Sequence, residues 1–402
     1  MEVLIFINVE FYRYYDTRLN EIMKILIEGP SIIAMNRQKP FIRSGYIYID
    51  RGVTVAYNEG APPPEFEFAE YVVNEKFAVA LPGFAVGIGN ILEYLFQFDI
   101  NSKNLANSLS KLSRSELEAL IEVVLASLTC SGVTSVISLI TNLEEKIVSS
   151  LAVAASDAWT RLRILLPLSL LGSLQELESI VKSVARSVKD SEALSRGIVS
   201  LGLFIGNEGE LNKFSSEWID TINKAGIYAY VPTEIYRRRY KELANAKNIV
   251  LLDPEEPTVP CLYTMPTLWK PPCGFISSDI SLLNPRKLLP MLHNIENSDI
   301  YTPTYILSHF NPLNNKIGMY SINEGMRTDI VIISFKEPPY GPIPISEYSI
   351  LKALSNAFYN VKTVLIDGEV VVDNSLHLNV GEEKVRKVRA LIEEIESQSN
   401  CC

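Results

Sequence analysis

Between residues 85 and 310 the chain alternates short apolar runs with amphipathic stretches, and this limits it to a parallel sheet with crossover helices. The apolar runs are Val133–Ile140, Leu162–Leu166, Ile198–Ile205, Ile227–Val231, Ile249–Leu252 and Phe275–Ile276. Between and beyond them, Arg114–Ser127, Glu144–Ala155, Gln175–Val188, Lys213–Ala225 and Arg286–Ile295 carry the helical period. About eight strand–helix units fit this span, which predicts an α/β fold with a TIM-like (β/α)8 barrel.

The flanks read differently. Ile25–Ile27, Ser31–Ala34, Tyr46–Ile49 and Val53–Ala56 are strand candidates, punctuated by Gly29-Pro30, Asp50-Arg51-Gly52 and Pro62-Pro63-Pro64. Strands return at Asp329–Phe335, Lys362–Ile366 and Glu369–Val372, and a charged helix is expected over Glu382–Ser397. The pattern predicts one small β-sheet domain formed by both terminal segments, 23–82 and 323–402, around a barrel spanning 83–322. Met23 stands directly before the first apolar run, so residues 1–22 read as a peripheral extension.

Composition excludes several function classes. A formal charge of −10 argues against a nucleic-acid partner. The one basic knot, Arg237-Arg238-Arg239 with Lys241, reads as a solvated helix face. Five cysteines, an odd number with no CxxC pair, point to a reduced, cytoplasmic protein. Cys401-Cys402 reads as a frayed end rather than a lipid anchor, since no polybasic stretch precedes it. No secretory leader is expected, because Glu2 and Glu10 break the first apolar run. Residues 123–143 are uncharged over the length of a membrane span. Their serines and threonines, with Gly132 in the middle, predict instead a buried helix, a turn and a strand, and no membrane partner.

Several motifs occur in a fixed order. Residues 79–90 read Val-Ala-Leu-Pro-Gly-Phe-Ala-Val-Gly-Ile-Gly-Asn. Before them stand Met23–Gly29 and the hairpin Ser44–Gly52; after them come Cys130-Ser131-Gly132-Val133-Thr134-Ser135-Val136 and Gly274–Asp279. Glu324–Ile332 and the closing hairpin Val361–Val371 complete the series. In this order the segments resemble the metal-dependent amidohydrolase superfamily, in particular its guanine and adenosine-type deaminase and triazine hydrolase branch. The resemblance spans about residues 23–390 and implies hydrolysis or deamination of C–N bonds in cyclic substrates.

The resemblance also implies a metal, held by histidines after strands one, five and six and a carboxylate after strand eight. Imidazoles and carboxylates bind a zinc-type ion that acidifies a bound water. The matching residues here are Ile88 and Asn90 after strand one, Tyr228 and Tyr230 on strand five, Asp253 after strand six and Asp279 after strand eight. Only Asp279 keeps the functional type. The chain's three histidines, His293, His309 and His377, read as surface or packed side chains, and no metal spacing is present in the sequence.

Asp279 is therefore the catalytic candidate, with helix or loop capping as its structural alternative. Ile88, Asn90, Tyr228, Tyr230 and Asp253 are candidate substrate-binding residues. Tyr228 and Tyr230 are two apart on a strand and face one way, either filling a vacated cavity or lining a ligand site. Asp253 and Glu234 could pair for acid–base work. Cys261 and Cys273 have no histidine base nearby, and the Gly83–Gly89 run lacks a phosphate loop's Lys-Ser/Thr ending. The expectation is an amidohydrolase-like protein without metal or other cofactor, serving as a non-catalytic ligand-binding or assembly module. Its partners would be a small cyclic nitrogenous ligand, a second copy, or an active paralogue. The alternative is a divergent, metal-independent hydrolase of carbon–nitrogen bonds.

Overall fold

The structure, a computed structural model, describes residues 23–35, 39, 41–96, 109–188, 191–243, 245–253, 255, 261–263, 274–277, 321–327, 329–344, 346–355 and 359–399. Residues 1–22, Asp279, His293, His309 and Cys273 lie outside them.

Short strands open the described chain: β1 (Lys24–Glu28), β2 (Ser31–Ile33), β3 (Phe41–Ile42), β4 (Gly45–Asp50), β5 (Val53–Glu59), β6 (Tyr71–Asn74) and β7 (Ala78–Pro82). The central series is β8 (Phe84–Ile88), β9 (Val133–Leu139), β10 (Arg161–Pro167), β11 (Val199–Phe204), β12 (Tyr228–Pro232), β13 (Ile249–Leu252), β14 (Cys261–Tyr263) and β15 (Gly274–Ser277). The chain closes with β16 (Ile330–Ser334), β17 (Asn360–Ile366), β18 (Glu369–Asp373), β19 (Leu376–His377) and the helix Glu382–Ser399.

Strands β8 to β15 pair in parallel, each with the next, and β15 returns to β8, so the central sheet closes into a barrel. Helices Arg114–Cys130, Glu145–Ala158, Leu174–Ser187 and Ser216–Ala225 run between its early strands. Their starts are written locally. Ser113 accepts from the Glu116 amide at 3.3 Å, and the Glu116 carboxylate accepts from the Ser113 amide at 2.7 Å. This reciprocal cap satisfies two orphan donors of the helix. Residues 123–143 resolve into the end of the helix at Cys130, a turn at Gly132 and strand β9. No helix among the described residues is long and apolar enough to cross a membrane.

The single terminal sheet expected from the sequence is two sheets. One, in the order β5-β4-β1-β6, is entirely N-terminal; the other, β19-β18-β17-β16-β7-β2-β3, joins both termini. The divider is Gly29-Pro30. Gly29 has φ +92°, and proline has no amide to continue a ladder, so β1 and β2 leave the turn into different sheets. Nor are the sheets purely antiparallel, since β1 pairs with β6 and β2 with β7 in parallel.

Pro82 ends β7, and Phe84 begins the barrel with only Gly83 between them. The Leu-Pro-Gly-Phe segment is thus the joint between sheet and barrel. A Cβ on Gly83 would lie 2.1 Å from Thr134 Oγ1, so only glycine passes there.

Beneath the N-terminal ends of the barrel strands lies a buried ionic cluster. Arg161, the first residue of β10, grips Asp329 with both ends of its guanidinium, at 2.8 and 3.0 Å. It also reaches Asp367 at 3.3 Å and the Arg196 carbonyl at 2.6 Å. Arg196 donates to the Asp367 carboxylate and reaches Glu369 at 3.2 Å, while Arg327 lies 2.6 Å from Asp367. The Asp367 amide donates to Asp329 at 2.9 Å, and Trp159 Nε1 donates to the Ile366 carbonyl at 3.2 Å. Asp329 and Asp367 are fully buried. Burial opposes ionisation of Asp367, but Arg161, Arg196 and Arg327 outweigh it and hold the carboxyl below its ordinary value.

Removing one partner of such a cluster leaves buried charge uncompensated. Asp367→Asn is expected to destabilise the fold by about 3–5 kcal/mol in denaturant melts. Because the folded value is depressed, the contribution of Asp367 is fully present above its unfolded pKa and is lost as pH falls through the folded one. The gap between wild type and variant should therefore hold from about pH 5 to 8 and shrink only below about pH 4.

Candidate functional site

Pleating decides which side chains enter the barrel. Val136, Leu162, Ile164, Leu166, Leu203, Ala229 and Val231 pack outward in the large core that includes the surrounding helices. The alternate residues Ile137, Leu165, Tyr228, Tyr230, Val250 and Leu252 form a separate buried cluster inside, with Leu139 and Phe204 packed at its edge. Tyr228 and Tyr230 thus both point into the barrel, and Tyr230 is fully buried.

Between them lies Arg163, a residue that the motif reading passes over. It shares the inward face of β10 with Leu165 and is 7% exposed. Its Nε donates to Ser200 Oγ at 3.0 Å, and its Nη1 donates to the Tyr230 hydroxyl at 3.4 Å. The guanidinium lies 4.6 Å from the centre of the Tyr228 ring, in cation–π contact. Burial pushes the Tyr230 hydroxyl above its ordinary pKa, against the opposing pull of Arg163. Tyr228 is raised for the same reason, burial first. Both are neutral phenols at neutral pH.

Gly202, inward-facing on β11, makes room for this layer. A Cβ there would lie 2.6 Å from Leu165 Cδ2 and 3.2 Å from Tyr230 Cε2. The mid-height of the barrel is therefore close-packed. Above it, toward the C-terminal strand ends, the described interior is apolar, formed by Leu139, Leu165, Phe204 and Leu252.

The other candidate residues are placed as follows. Asn90 follows β8 and starts the short helix Ile91–Phe96. Its Oδ1 accepts from the Leu92 amide at 3.1 Å, and its Nδ2 donates to Thr141 Oγ1 at 3.2 Å. Beside it Glu93 is half-buried, and burial raises its pKa against a hydrogen bond from Asn90. No motif singled out Glu93. Asp253 directly follows β13 at the mouth, with φ +50°, a left-handed conformation that aspartate tolerates better than most residues. Thr233 ties the ends of β12 and β13 by donating to the Leu252 carbonyl at 2.7 Å. Glu234 is exposed on the helix that begins at Thr233. Ile88 ends β8, and Asp279 falls outside the described residues. The structure brings Tyr228 and Tyr230 together and leaves Asn90 and Asp253 on separate strand ends. His377 is packed, its Nδ1 accepting from the Val380 amide at 3.2 Å, and burial pushes its pKa down to about 4.

No protein-family model matches the sequence, and no curated protein matches it by sequence. Solved structures match the fold closely. A mutant of an atrazine chlorohydrolase from Arthrobacter aurescens, complexed with zinc and atraton, superposes with a TM-score of 0.66 at 13% identity, over 92% of this chain and all of the other. An adenosine deaminase from Xanthomonas campestris with bound zinc gives 0.62 at 12% identity, over 93% and 98% of the two chains. An amidohydrolase from a Sargasso Sea environmental sample gives 0.63 at 13%, over 92% and 99%. The fold is that of the amidohydrolases.

Two of these structures contain zinc, and the barrel residues of this chain can be tested against such an ion. Two raised, neutral phenols around a guanidinium are not a donor set that a divalent cation takes. Among the described residues, no three His, Cys, Asp or Glu side chains converge as a metal-ligand group.

The packing at Gly202 has a measurable consequence. Gly202→Ala should cost about 1–3 kcal/mol, as overpacking does. Tyr230→Phe should cost about 1–2 kcal/mol, because an Arg163 donor loses its acceptor. Both are read by chemical denaturation, and unchanged midpoints would show a loosely filled interior.

Proposed function

We propose that this chain is a member of the amidohydrolase superfamily that has given up metal-dependent hydrolysis of C–N bonds and serves as a non-catalytic binding or assembly module. The observation that carries this reading is the interior of the barrel. The positions that the sequence motifs align with metal-binding histidines on strand five are Tyr228 and Tyr230, and both phenols are committed to Arg163 within a close-packed layer. A hydrolytic site of the expected kind needs three or four ligands and an open position for water. The Arg163–Tyr228–Tyr230 layer supplies neither.

The fold supports the ancestry: solved structures that share it include an atrazine chlorohydrolase, an adenosine deaminase and an amidohydrolase. Ligand binding without turnover is compatible with the apolar floor of Leu139, Phe204 and Leu252 at the barrel mouth. A planar nitrogen heterocycle could lie on that floor with its polar edge toward the strand ends. The assembly role would place the chain beside a second copy or an active paralogue.

Metal analysis of protein purified without chelator, paired with ammonia-release assays on purines, pyrimidines and triazines, tests the proposal. The expected result is no stoichiometric zinc, iron or manganese and no turnover. About one metal per chain, with turnover that a chelator abolishes, would overturn it. Turnover that survives chelation would instead favour a metal-independent hydrolase using Asp253 or Asp279. A thermal-shift screen of the same heterocycles addresses binding: a shift weakened by Phe204→Ala supports the ligand role, and no shift with any heterocycle leaves assembly as the function.

A further inference from the structure

We infer that the closing helix, Glu382–Ser399, is a dimerisation element that pairs antiparallel with the same helix of a second copy of this chain. The inference rests on the assembly role proposed above and names the partner and the surface.

The closing helix lies along the helix Arg114–Cys130. Just before it, the backbone of His377 hydrogen-bonds Cys130, and on its first turn Lys384 pairs with the buried carboxylate of Glu122. The two helices therefore run antiparallel. Val388 and Ile395 are buried on the inner side of the closing helix. Beside the seam lies a surface groove of about 780 Å³. Ala119, Val388 and Leu391 give it apolar surface, and Glu116, Lys387 and Glu394 give it charge.

Charge runs along the closing helix in two blocks. Residues 384–389 carry Lys384, Arg386, Lys387 and Arg389 and no acid, whereas residues 393–396 carry Glu393, Glu394 and Glu396 and no base. A lone helix favours the reverse order, because its C-terminal end attracts cations and repels carboxylates, yet the last turn holds no base. An antiparallel copy sets each block against its opposite.

The groove is self-complementary under the same operation. Lys387 and Glu394 both line it, about two helical turns apart, with Ala390 and Leu391 midway. A two-fold axis through that midpoint puts Lys387 opposite the partner's Glu394, and the contact is made twice, as in any isologous interface. Ala390 is exposed in the single chain and presents only a methyl group at the crossing, so the two helices can approach closely. Glu116, at the start of its own helix, stands at the acidic end of the groove and faces the same basic block of the second copy. The pair that Lys387 makes with Glu383, at 2.8 Å, is exposed on both sides and holds the lysine only weakly.

Sedimentation equilibrium on the full chain tests the inference. The wild type is expected to dimerise, with a dissociation constant that rises with salt. Ala390→Trp should raise that constant at least ~10-fold by blocking the crossing, with circular dichroism unchanged. Lys387→Glu and Glu394→Lys should each raise it about 10-fold, since each contact occurs twice, and the double variant should recover most of the loss. A wild type that stays monomeric at about 100 μM, a dimer indifferent to Ala390→Trp, or a double variant no better than the single ones would each overturn the inference. The first of these results would leave the groove to a different protein. None of them alters metal content or turnover, which test the non-catalytic reading, so the two failures are distinguishable.

Discussion

The fold hangs on Asp367. Its carboxylate is fully buried beneath the barrel, where guanidinia arrive from three parts of the chain: Arg161 from a barrel strand, Arg196 from the segment before β11, and Arg327 from the approach to β16. Asp329 completes the cluster through its paired contact with Arg161. A barrel and a terminal sheet could each bury an apolar face and still dock in several orientations, because hydrophobic burial is not directional. Charge-assisted hydrogen bonds with fixed geometry single out one. Buried ion pairs are weak evidence for stability in themselves, since desolvation offsets much of their attraction. Their effect here is to specify how barrel and sheet meet.

The same chemistry appears again one layer up, with a different outcome. Arg161 and Arg163 are two residues apart on β10 and share its inward face. Arg161 meets carboxylates at the barrel floor, whereas Arg163 meets two tyrosines in the barrel centre. A guanidinium can be held by either set of groups, by carboxylates or by a phenol oxygen and an aromatic face. Above Arg163, apolar residues continue toward the mouth.

Much of this architecture was legible in the residues. The alternation of Val133–Ile140, Leu162–Leu166, Ile198–Ile205 and their successors with helical stretches follows from burial on both faces of a parallel strand, and it places the barrel. That Tyr228 and Tyr230 share one face follows from the period of two along a strand, while the structure shows that this face is the interior. Other features were not legible. Arg161, just before the run Leu162–Leu166, and Arg163, inside it, were not singled out, although two arginines on one face of a barrel strand are a signal in their own right. The split of the N-terminal strands into two sheets turns on one left-handed glycine before a proline, a local detail whose long-range effect no pattern displays.

The sequence by itself determined the strand and helix periods, the joint at Gly83, and the absence of histidine from the strand ends where the motifs align with metal ligands. These depend on residue type and spacing along the chain, and both are written there. Only the tertiary structure decided that Arg163 lies between the two tyrosines, that Asp367 gathers Arg161, Arg196 and Arg327, and that Asn90 spends its side chain on Leu92 and Thr141. Those are contacts between residues from two to about two hundred positions apart. Their partners are chosen by shear and closure of the barrel, and no local propensity records that choice.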